Sequence, residues 1–357
     1  MLLSAQLGFT GYFLNTLFLC IGVFLLVKGA DWFVSSSSSI AKKFKISSLV
    51  IGLTVVSFGT SAPELAVSTI SSLKGASGIA LGNVVGSNIC NAALVLGLSA
   101  FISPIIIKKS LCKREIPFLI MTTLVLIIFG FDNLLSGYLG IDNLLSRGEC
   151  IIFLGLFVAY CYISIIMAQK DQSVELLEGE VQEEQVEDEI VELPMKKTLI
   201  LLALGLTGII LGAEFVTTPA KNIAISIGLL INVEEALLTT VVGLTVVAVG
   251  TSLPELVTSV IAAKKGENEI AVGNVVGSNI FNILLILGLS GVITPHPVTS
   301  DILTDVVLSL VLTLLVLGFA RKGKISKPMG LALMGFYVFY IAYILIRLFN
   351  PFLVIPA

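Results

Sequence analysis

Charged side chains are scarce in this sequence. Only 13% of its 357 residues are Asp, Glu, Lys or Arg, whereas an ordinary soluble domain carries about 25%. Hydrophobic residues make up 56% of the chain, and the mean hydropathy is +1.04. A water-soluble globular protein is therefore excluded. Because a helix needs about 20 apolar residues to cross a bilayer, the composition predicts an all-α polytopic membrane protein.

Histidines and paired cysteines are also lacking. The single histidine, His296, lies between two prolines in a predicted loop, and we expect it in a solvated turn. The five cysteines show no paired spacing, which indicates neither a disulfide framework nor a redox site. An intramembrane protease is disfavoured, because the sequence has no GxGD aspartate and its one histidine lies in a loop. We predict a transporter rather than an enzyme, with no cofactor and no nucleic-acid partner.

Ten apolar runs separated by polar breaks are present. We predict membrane spans at residues 8–33, 46–72, 78–103, 115–131, 149–168, 198–219, 235–262, 269–294, 301–320 and 328–348. The first run lacks the basic region of a cleavable signal peptide and is counted as a span. Sixteen of the 21 Lys and Arg residues fall in alternate connectors, and short cytoplasmic loops collect these residues. The pattern predicts that both termini lie outside the cell.

An acidic segment separates the fifth and sixth spans. Residues 171–192 hold ten of the 24 acidic residues, a like-charged composition typical of a solvated tether. We predict that residues 169–197 form a cytoplasmic linker between two halves, 1–168 and 198–357. A regulatory cation-binding loop stays open as an alternative, although the carboxylates are not arranged around a turn glycine as in an EF-hand.

Each half contains one copy of an internal repeat. Residues 52–104 align without a gap to residues 243–295, with 33 identities in 53 positions at a constant offset of 191. Each half holds five predicted spans, and a unit with an odd number of spans re-enters the membrane upside down. The halves are therefore predicted to be five-helix repeats of inverted topology, an architecture typical of secondary transporters.

Each repeat places one carboxylate in the middle of an apolar span. The motif Gly-Thr-Ser-x-Pro-Glu ends at Glu64 in the first repeat and at Glu255 in the second. An ionisable residue at bilayer depth costs roughly 2.5–3.5 kcal/mol. Neither segment offers Lys or Arg as a partner, so a bound cation is the expected compensation. Pro63 and Pro254 cannot donate a backbone hydrogen bond, which frees carbonyl oxygens nearby.

A second motif, Gly-Asn-Val-Val-Gly-Ser-Asn-Ile-x-Asn, occupies the following span of each repeat. Ser87 and Asn91, and likewise Ser278 and Asn282, are four residues apart and share a helix face. These side chains either hydrogen-bond between helices or add oxygen ligands beside the glutamates, and the glycines are expected to pack helices closely. A site of carboxylate, hydroxyl, amide and carbonyl oxygens suits Ca²⁺ and Na⁺.

The paired motifs resemble the two α-repeats of the cation/Ca²⁺ exchanger superfamily, specifically the prokaryotic Na⁺/Ca²⁺ exchangers. The resemblance covers nearly the whole chain and implies that Glu64 and Glu255 are the central Ca²⁺ ligands. It also implies further hydroxyl, amide and carbonyl ligands: Thr60, Thr251, Ser61, Ser252, Ser87, Ser278, Asn91 and Asn282, with the backbone carbonyls of Ser57 and Ala248.

The resemblance also implies a mechanism, which is alternating-access antiport of three Na⁺ against one Ca²⁺ across a prokaryotic plasma membrane. Exchange would be electrogenic, because the ions moved in the two directions carry unequal charge. Some relatives, K⁺-dependent members among them, have Asp where this chain has Asn282, so K⁺-independent transport is predicted. Ca²⁺/H⁺ exchange, K⁺-dependent exchange and a passive channel stay open as alternatives, and the oligomeric state is not predicted.

The first and sixth predicted spans resemble the helix pair that slides past the core in this family. They carry Asp31 and Glu214, which fall near opposite membrane faces. We interpret both acids as interface anchors, with a gating role as the alternative.

Overall fold

The computed structural model describes residues 8–130, 144–178, 194–230 and 248–349, and most of them lie in helices. The helices are α1 (Phe9–Phe44), α2 (Ser48–Thr60), α3 (Ala62–Leu73), α4 (Ser77–Ile102), α5 (Ile116–Gly130, preceded by the π-helical turn Leu111–Glu115), α6 (Arg147–Glu178), α7 (Met195–Leu230), α8 (Ala248–Thr251), α9 (Leu253–Lys264), α10 (Asn268–Ile293), α11 (Ser300–Ala320) and α12 (Lys327–Phe349). Within the described ranges, four two-residue strands connect them: β1 (Ile105–Ile106), β2 (Leu144–Leu145), β3 (His296–Pro297) and β4 (Lys324–Ile325).

The predicted helical membrane fold agrees with these elements. Within the described ranges, seven helices are long and apolar enough to cross a membrane, or eight if the bent pair α2–α3 counts as one span. Helix α5 coincides with the predicted span 115–131 but has only 15 α-helical residues. The first 13 residues of the predicted span 235–262 lie outside the described residues. The count of ten spans therefore stays a prediction.

Helices α1 and α7 extend beyond the predicted membrane spans. Each has 36 residues and is about 54 Å long at 1.5 Å per residue, whereas the hydrocarbon core is about 30 Å thick. Both helices continue past the predicted span ends at residues 33 and 219, because polar residues beyond the apolar run stay helical. Lys42 and Lys43 form the last turn of α1, where the helix dipole favours cations.

Helices α1 and α7 pack backbone against backbone. A Cβ atom on Gly29 would lie 2.8 Å from the carbonyl oxygen of Gly205, so a larger residue there would push the helices apart. Further along the same contact, Asn222 Nδ2 donates a hydrogen bond to Asn15 Oδ1 at 3.1 Å. The two helices therefore form one closely packed pair.

Two short antiparallel ribbons join connectors that are distant in sequence. β1 pairs with β4, with Ile105 opposite Ile325, and β2 pairs with β3, with Leu145 opposite His296. Ile105 and His296 directly follow the two copies of the repeat and keep its offset of 191 residues. Each ribbon therefore combines one strand from each half of the chain, in the same register.

Helices α4 and α10 run antiparallel. α4 has 26 residues and is about 39 Å long; it begins beside β3, where Ser77 Oγ donates to the carbonyl oxygen of Pro295 at 2.8 Å, and ends just before β1. α10 begins near β1, where Glu269 forms a 2.6 Å ion pair with Lys108, and ends just before β3. The two ribbons therefore lie at opposite ends of this helix pair.

Candidate functional site

Helix α2 is interrupted at the first glutamate motif. It contains the π-helical segment Gly52–Val56, a distortion frequent at functional sites, and the axes of α2 and α3 differ by 48°. Ser61 separates the two helices, and Pro63 follows near the start of α3, where it has no N–H for the preceding turn. The break places Glu64 in the first turn of α3, where the helix dipole favours a carboxylate.

The second glutamate motif contains a break of the same kind. Ser252 separates α8 from α9, Pro254 is the second residue of α9, and Glu255 lies in its first turn. The backbone at Ser252 (φ −87°, ψ 5°) is close to that at Ser61 (φ −81°, ψ 7°). Two half-helices therefore present one carboxylate each in the same local setting.

The two glutamates lie at one fully buried site. Each accepts a hydrogen bond from the serine of the other motif: Ser61 Oγ donates to Glu255 Oε1 at 2.9 Å, and Ser252 Oγ donates to Glu64 Oε1 at 3.4 Å. Ser278 on α10 also donates to Glu255 Oε1, at 3.5 Å. Within the described ranges, the salt bridges involve neither glutamate.

Four acceptor oxygens around this site have no hydrogen-bond partner among the described residues. They are Glu64 Oε2, Glu255 Oε2, Asn91 Oδ1 and Asn282 Oδ1, and all four side chains are 0% exposed. Asn282 lies one helical turn beyond Ser278 and on the same face. Leaving a buried polar group unpaired costs about 1–3 kcal/mol, and more for a charge. Two carboxylate and two amide oxygens suit a dehydrated hard cation.

Two further predicted ligands lie at the α2–α3 break. Thr60 is buried, and its Oγ1 donates to Asn274 Oδ1 at 2.9 Å. The Ser57 hydroxyl donates to the carbonyl oxygen of Leu53 at 2.8 Å, while the Ser57 carbonyl oxygen accepts from the Ser61 N–H at 3.0 Å. In this conformation the predicted carbonyl ligand at Ser57 therefore already has a partner.

The remaining predicted ligands lie on α4 and α8. Ser87 is buried on α4, one turn before Asn91. Ala248 and Thr251 are the first and last residues of α8, and the side chain of Ala248 lies outside the described residues. Their assignment as ion ligands stays a prediction.

Two asparagines outside the predicted ligand set contact the glutamate backbone. Asn274 Nδ2 donates to the carbonyl oxygen of Glu255 at 3.4 Å, and Asn83 Nδ2 donates to that of Glu64 at 3.5 Å. Neither asparagine belongs to the ligand set that the sequence predicts. Both could have been recognised from the sequence, because they belong to the second motif and recur at the offset of 191.

The expectation for His296 was wrong. Its side chain is 0% exposed, with Nδ1 at 3.0 Å from the carbonyl oxygen of Ser77 and Nε2 at 3.0 Å from Ser290 Oγ. Burial lowers the pKa of the His296 imidazole. The residue is enclosed because β3 pairs with β2 and covers the start of α4, and a two-residue strand leaves no recognisable pattern in the sequence.

Together these features define a class of protein, namely a helical integral membrane protein with a buried, all-oxygen site of the kind that binds hard cations. The family model described as "Sodium/calcium exchanger protein" matches residues 14–166 and 197–346. The chain therefore belongs to the sodium/calcium exchanger protein family, which confirms the resemblance found in the sequence. It is a multi-pass membrane transporter of the cation/Ca²⁺ antiporter class.

Individual relatives are similar in sequence to this chain over almost its whole length. The sodium/calcium exchanger MaX1 of Methanosarcina acetivorans is 36% identical over 350 residues, covering 92% of this chain and 97% of that protein. The putative antiporter CaxA of Alkalimonas amylolytica is 35% identical over 331 residues, covering 91% and 97%. A structure of the sodium-calcium exchanger NCX_Mj, soaked with Na⁺ and Sr²⁺, superposes with a TM-score of 0.75 at 34% identity and covers 92% of this chain and 98% of that one.

Proposed function

We propose that this chain exchanges Na⁺ for Ca²⁺ across the membrane by alternating access. The observation that carries the proposal is the group of four buried, unpartnered acceptors, two of them carboxylate oxygens of Glu64 and Glu255. Two carboxylates neutralise one divalent ion, and Ca²⁺ accepts 6–8 oxygens in irregular geometry, whereas Mg²⁺ gives up its water reluctantly. The named activity of the relative MaX1 supports the same pair of ions.

The other predicted ligands complete the proposed ion sites. Thr60 and Thr251 contribute beside the glutamates, and Asn91 and Asn282 supply amide oxygens. Ser61, Ser252, Ser87 and Ser278 line the flanking Na⁺ positions, together with the carbonyls of Ser57 and Ala248. With Ca²⁺ bound the two carboxylates are neutralised, and with three Na⁺ one positive charge remains. Exchange is therefore electrogenic, with about 2.3 kcal/mol per 100 mV acting on that charge.

We also propose ten spans arranged as two inverted five-helix repeats. Support comes from the antiparallel course of α4 and α10 and from the two ribbons of equal register at opposite ends of them. The basic connectors would face the cytoplasm, as would the acidic linker, and both termini would lie outside. A protease site introduced between residues 179 and 193 tests this orientation: cleavage from the cytoplasmic side only supports it, and cleavage from outside contradicts it.

The transport activity is tested in vesicles that contain the purified full-length chain. An outward Na⁺ gradient should drive ⁴⁵Ca²⁺ uptake against its own gradient, and replacing internal Na⁺ with choline should abolish that uptake. Downhill Ca²⁺ movement without Na⁺ coupling would identify a channel. Uptake driven by a pH gradient and insensitive to Na⁺ would identify Ca²⁺/H⁺ exchange instead.

The same vesicles test the dependence on K⁺. Asn282 contributes a neutral amide where an acid would add a further charge, so we expect the same Na⁺-driven ⁴⁵Ca²⁺ flux with and without K⁺ on either side. A strict K⁺ requirement would refute K⁺ independence while leaving Na⁺/Ca²⁺ exchange intact.

A further inference from the structure

Four asparagines form a reciprocal hydrogen-bond group across the contact between α4 and α10. Asn88 Nδ2 donates to the backbone carbonyl oxygen of Asn279 at 3.4 Å, and Asn279 Nδ2 donates to that of Asn88 at 3.1 Å. Asn91 Nδ2 donates to Asn279 Oδ1 at 3.1 Å, and Asn282 Nδ2 donates to Asn88 Oδ1 at 2.9 Å. All four side chains are at most 3% exposed, so these bonds do not compete with water.

The chemistry of these bonds determines which way each amide group points. A backbone carbonyl oxygen only accepts hydrogen bonds, so the side-chain NH₂ group of Asn88 or Asn279 must face the carbonyl of the other. The oxygen of each amide then faces the opposite direction and accepts the NH₂ group of Asn282 or Asn91. This leaves Oδ1 of Asn91 and Asn282 pointing away from the group, where both oxygens are buried and unpartnered.

We propose that Asn88 and Asn279 are positioning residues that hold the amides of Asn91 and Asn282 with their oxygens, and not their NH₂ groups, toward the cation site. The inference rests on the proposed function, because it assigns these oxygens to a cation. An inverted amide would direct two N–H donors at a positive ion. In metal sites, residues that orient the ligands typically contribute about 10- to 100-fold to ion affinity.

The rival explanation is that the asparagine group merely fastens α4 to α10. A substitution that removes the group without a large change in size separates the two explanations. Asn88→Leu removes the donor to the Asn279 carbonyl and the acceptor that orients Asn282. Asn15→Leu is the matched control, because Asn15 also accepts an interhelical asparagine hydrogen bond, from Asn222 on α7, but has no part in the site.

The test measures KM for Ca²⁺ and maximal rate of Na⁺-driven ⁴⁵Ca²⁺ uptake, together with the melting temperature of each purified variant. For Asn88→Leu and Asn279→Leu we expect an increase in KM of about 10- to 100-fold. For Asn15→Leu we expect a lower melting temperature with an unchanged KM. A wild-type KM in both Asn88→Leu and Asn279→Leu overturns the proposal. Absence of any Na⁺-driven uptake by the wild-type chain would overturn the proposed function instead.

A second variant covers the case in which the leucine variants do not fold. In Asn88→Asp, a protonated carboxyl group reproduces both hydrogen bonds, donating through its O–H and accepting through its carbonyl oxygen. The ionised group has no donor and adds a negative charge. We therefore expect the ratio of variant to wild-type KM to move toward one as the pH is lowered. A ratio above one that does not fall as the pH is lowered overturns the proposal, because protonation restores the two hydrogen bonds that orient Asn282.

Discussion

The end of the molecule at ribbon β1–β4 and the end at ribbon β2–β3 are equivalent in the sequence repeat but differ in their contacts. Lys265, near β1–β4, forms a 2.7 Å ion pair with Asp31 on α1. Near β2–β3 the lysine at the same repeat position is Lys74, and the acid that α7 carries is Glu214. Both lie in the described part of the chain, and they form no ion pair with each other. Glu214 instead accepts a hydrogen bond from Thr218.

The ribbons themselves differ in the same way. Ile105 and His296 occupy equivalent strand positions, and both are 0% exposed. One end therefore buries an apolar side chain and the other a titratable one. Between the ends, the contacts of Asn88 and Asn279 are reciprocal. Alternating access, as proposed above, requires the two ends to differ in any single conformation, whereas the proposed ion site has to serve both directions. The reciprocal contacts of Asn88 and Asn279, here called the symmetric centre, and the unequal contacts at the two ribbons fit that requirement.

The sharpest test of the symmetric centre replaces the buried glutamate of each repeat with a neutral glutamine. Glu64→Gln and Glu255→Gln should each reduce Na⁺-driven ⁴⁵Ca²⁺ uptake to background. Removing one of two buried charges opposite a divalent ion costs about 3–5 kcal/mol, equivalent to a loss of binding of more than about 100-fold. Both variants should remain folded, because the glutamine amide can still accept the hydrogen bond from the serine of the other motif.

The matched control for this deletion is Glu115→Gln. Glu115 is also buried but lies at the start of α5, where it accepts hydrogen bonds from Arg114 at 2.6 Å and Tyr160 at 3.2 Å. The Glu115→Gln variant should keep substantial Na⁺-driven ⁴⁵Ca²⁺ uptake. Near-normal uptake in both site variants would contradict the assignment of the central ligands, and loss in only one would contradict the symmetry of the centre.

Much of the candidate site could be predicted from local sequence. Glu64 and Glu255 stand out because a carboxylate in an apolar span needs a compensating charge, and Pro63 and Pro254 mark the helix breaks that the structure contains. The serine hydrogen bonds to the glutamates follow from packing the two motifs against each other. The family resemblance was confirmed by the family model, which matches residues 14–166 and 197–346.

Other features could not be predicted because they depend on contacts between distant segments. The amide groups of Asn91 and Asn282 donate to side-chain oxygens that lie about 190 residues away in the sequence. The burial of His296 depends on the pairing of two strands of two residues each. Helix α1 continues past residue 33 through Ser35–Ser39 to Phe44, because polar residues end an apolar run but do not end a helix.

The next largest effect should come from the buried imidazole at the β2–β3 end. Burial lowers the pKa of His296 from its ordinary value of 6.5, so below pH 6.5 the unfolded chain binds a proton that the folded chain does not. The free energy of unfolding therefore has its full value above pH 6.5 and decreases as the pH falls, by up to about 1.4 kcal/mol per pH unit. Melting temperatures of purified protein between pH 8 and 5 measure this loss.

Two variants separate the contribution of the β2–β3 end to the pH dependence of stability from that of the β1–β4 end. His296→Leu should melt lower at pH 8, because Ser290 and the Ser77 carbonyl lose a partner, but it should lose less stability on acidification than the wild type. Ile105→Val, at the equivalent position of β1, should cost about 0.5–1.5 kcal/mol at every pH. An unchanged pH dependence in His296→Leu would contradict the role of the histidine.

The smallest effect should come from the ion pair that distinguishes the two ends. Lys265→Ala should destabilise the protein by about 0.2–1 kcal/mol, because Lys265 and Asp31 are partly exposed and solvent weakens their attraction. High salt, supplied as choline chloride, should reduce this difference in melting temperature. Lys74→Ala should have no measurable effect, since its equivalent pair is not formed. Equal destabilisation by both substitutions would show that the two ends are held alike, because only a formed pair is sensitive to loss of its lysine.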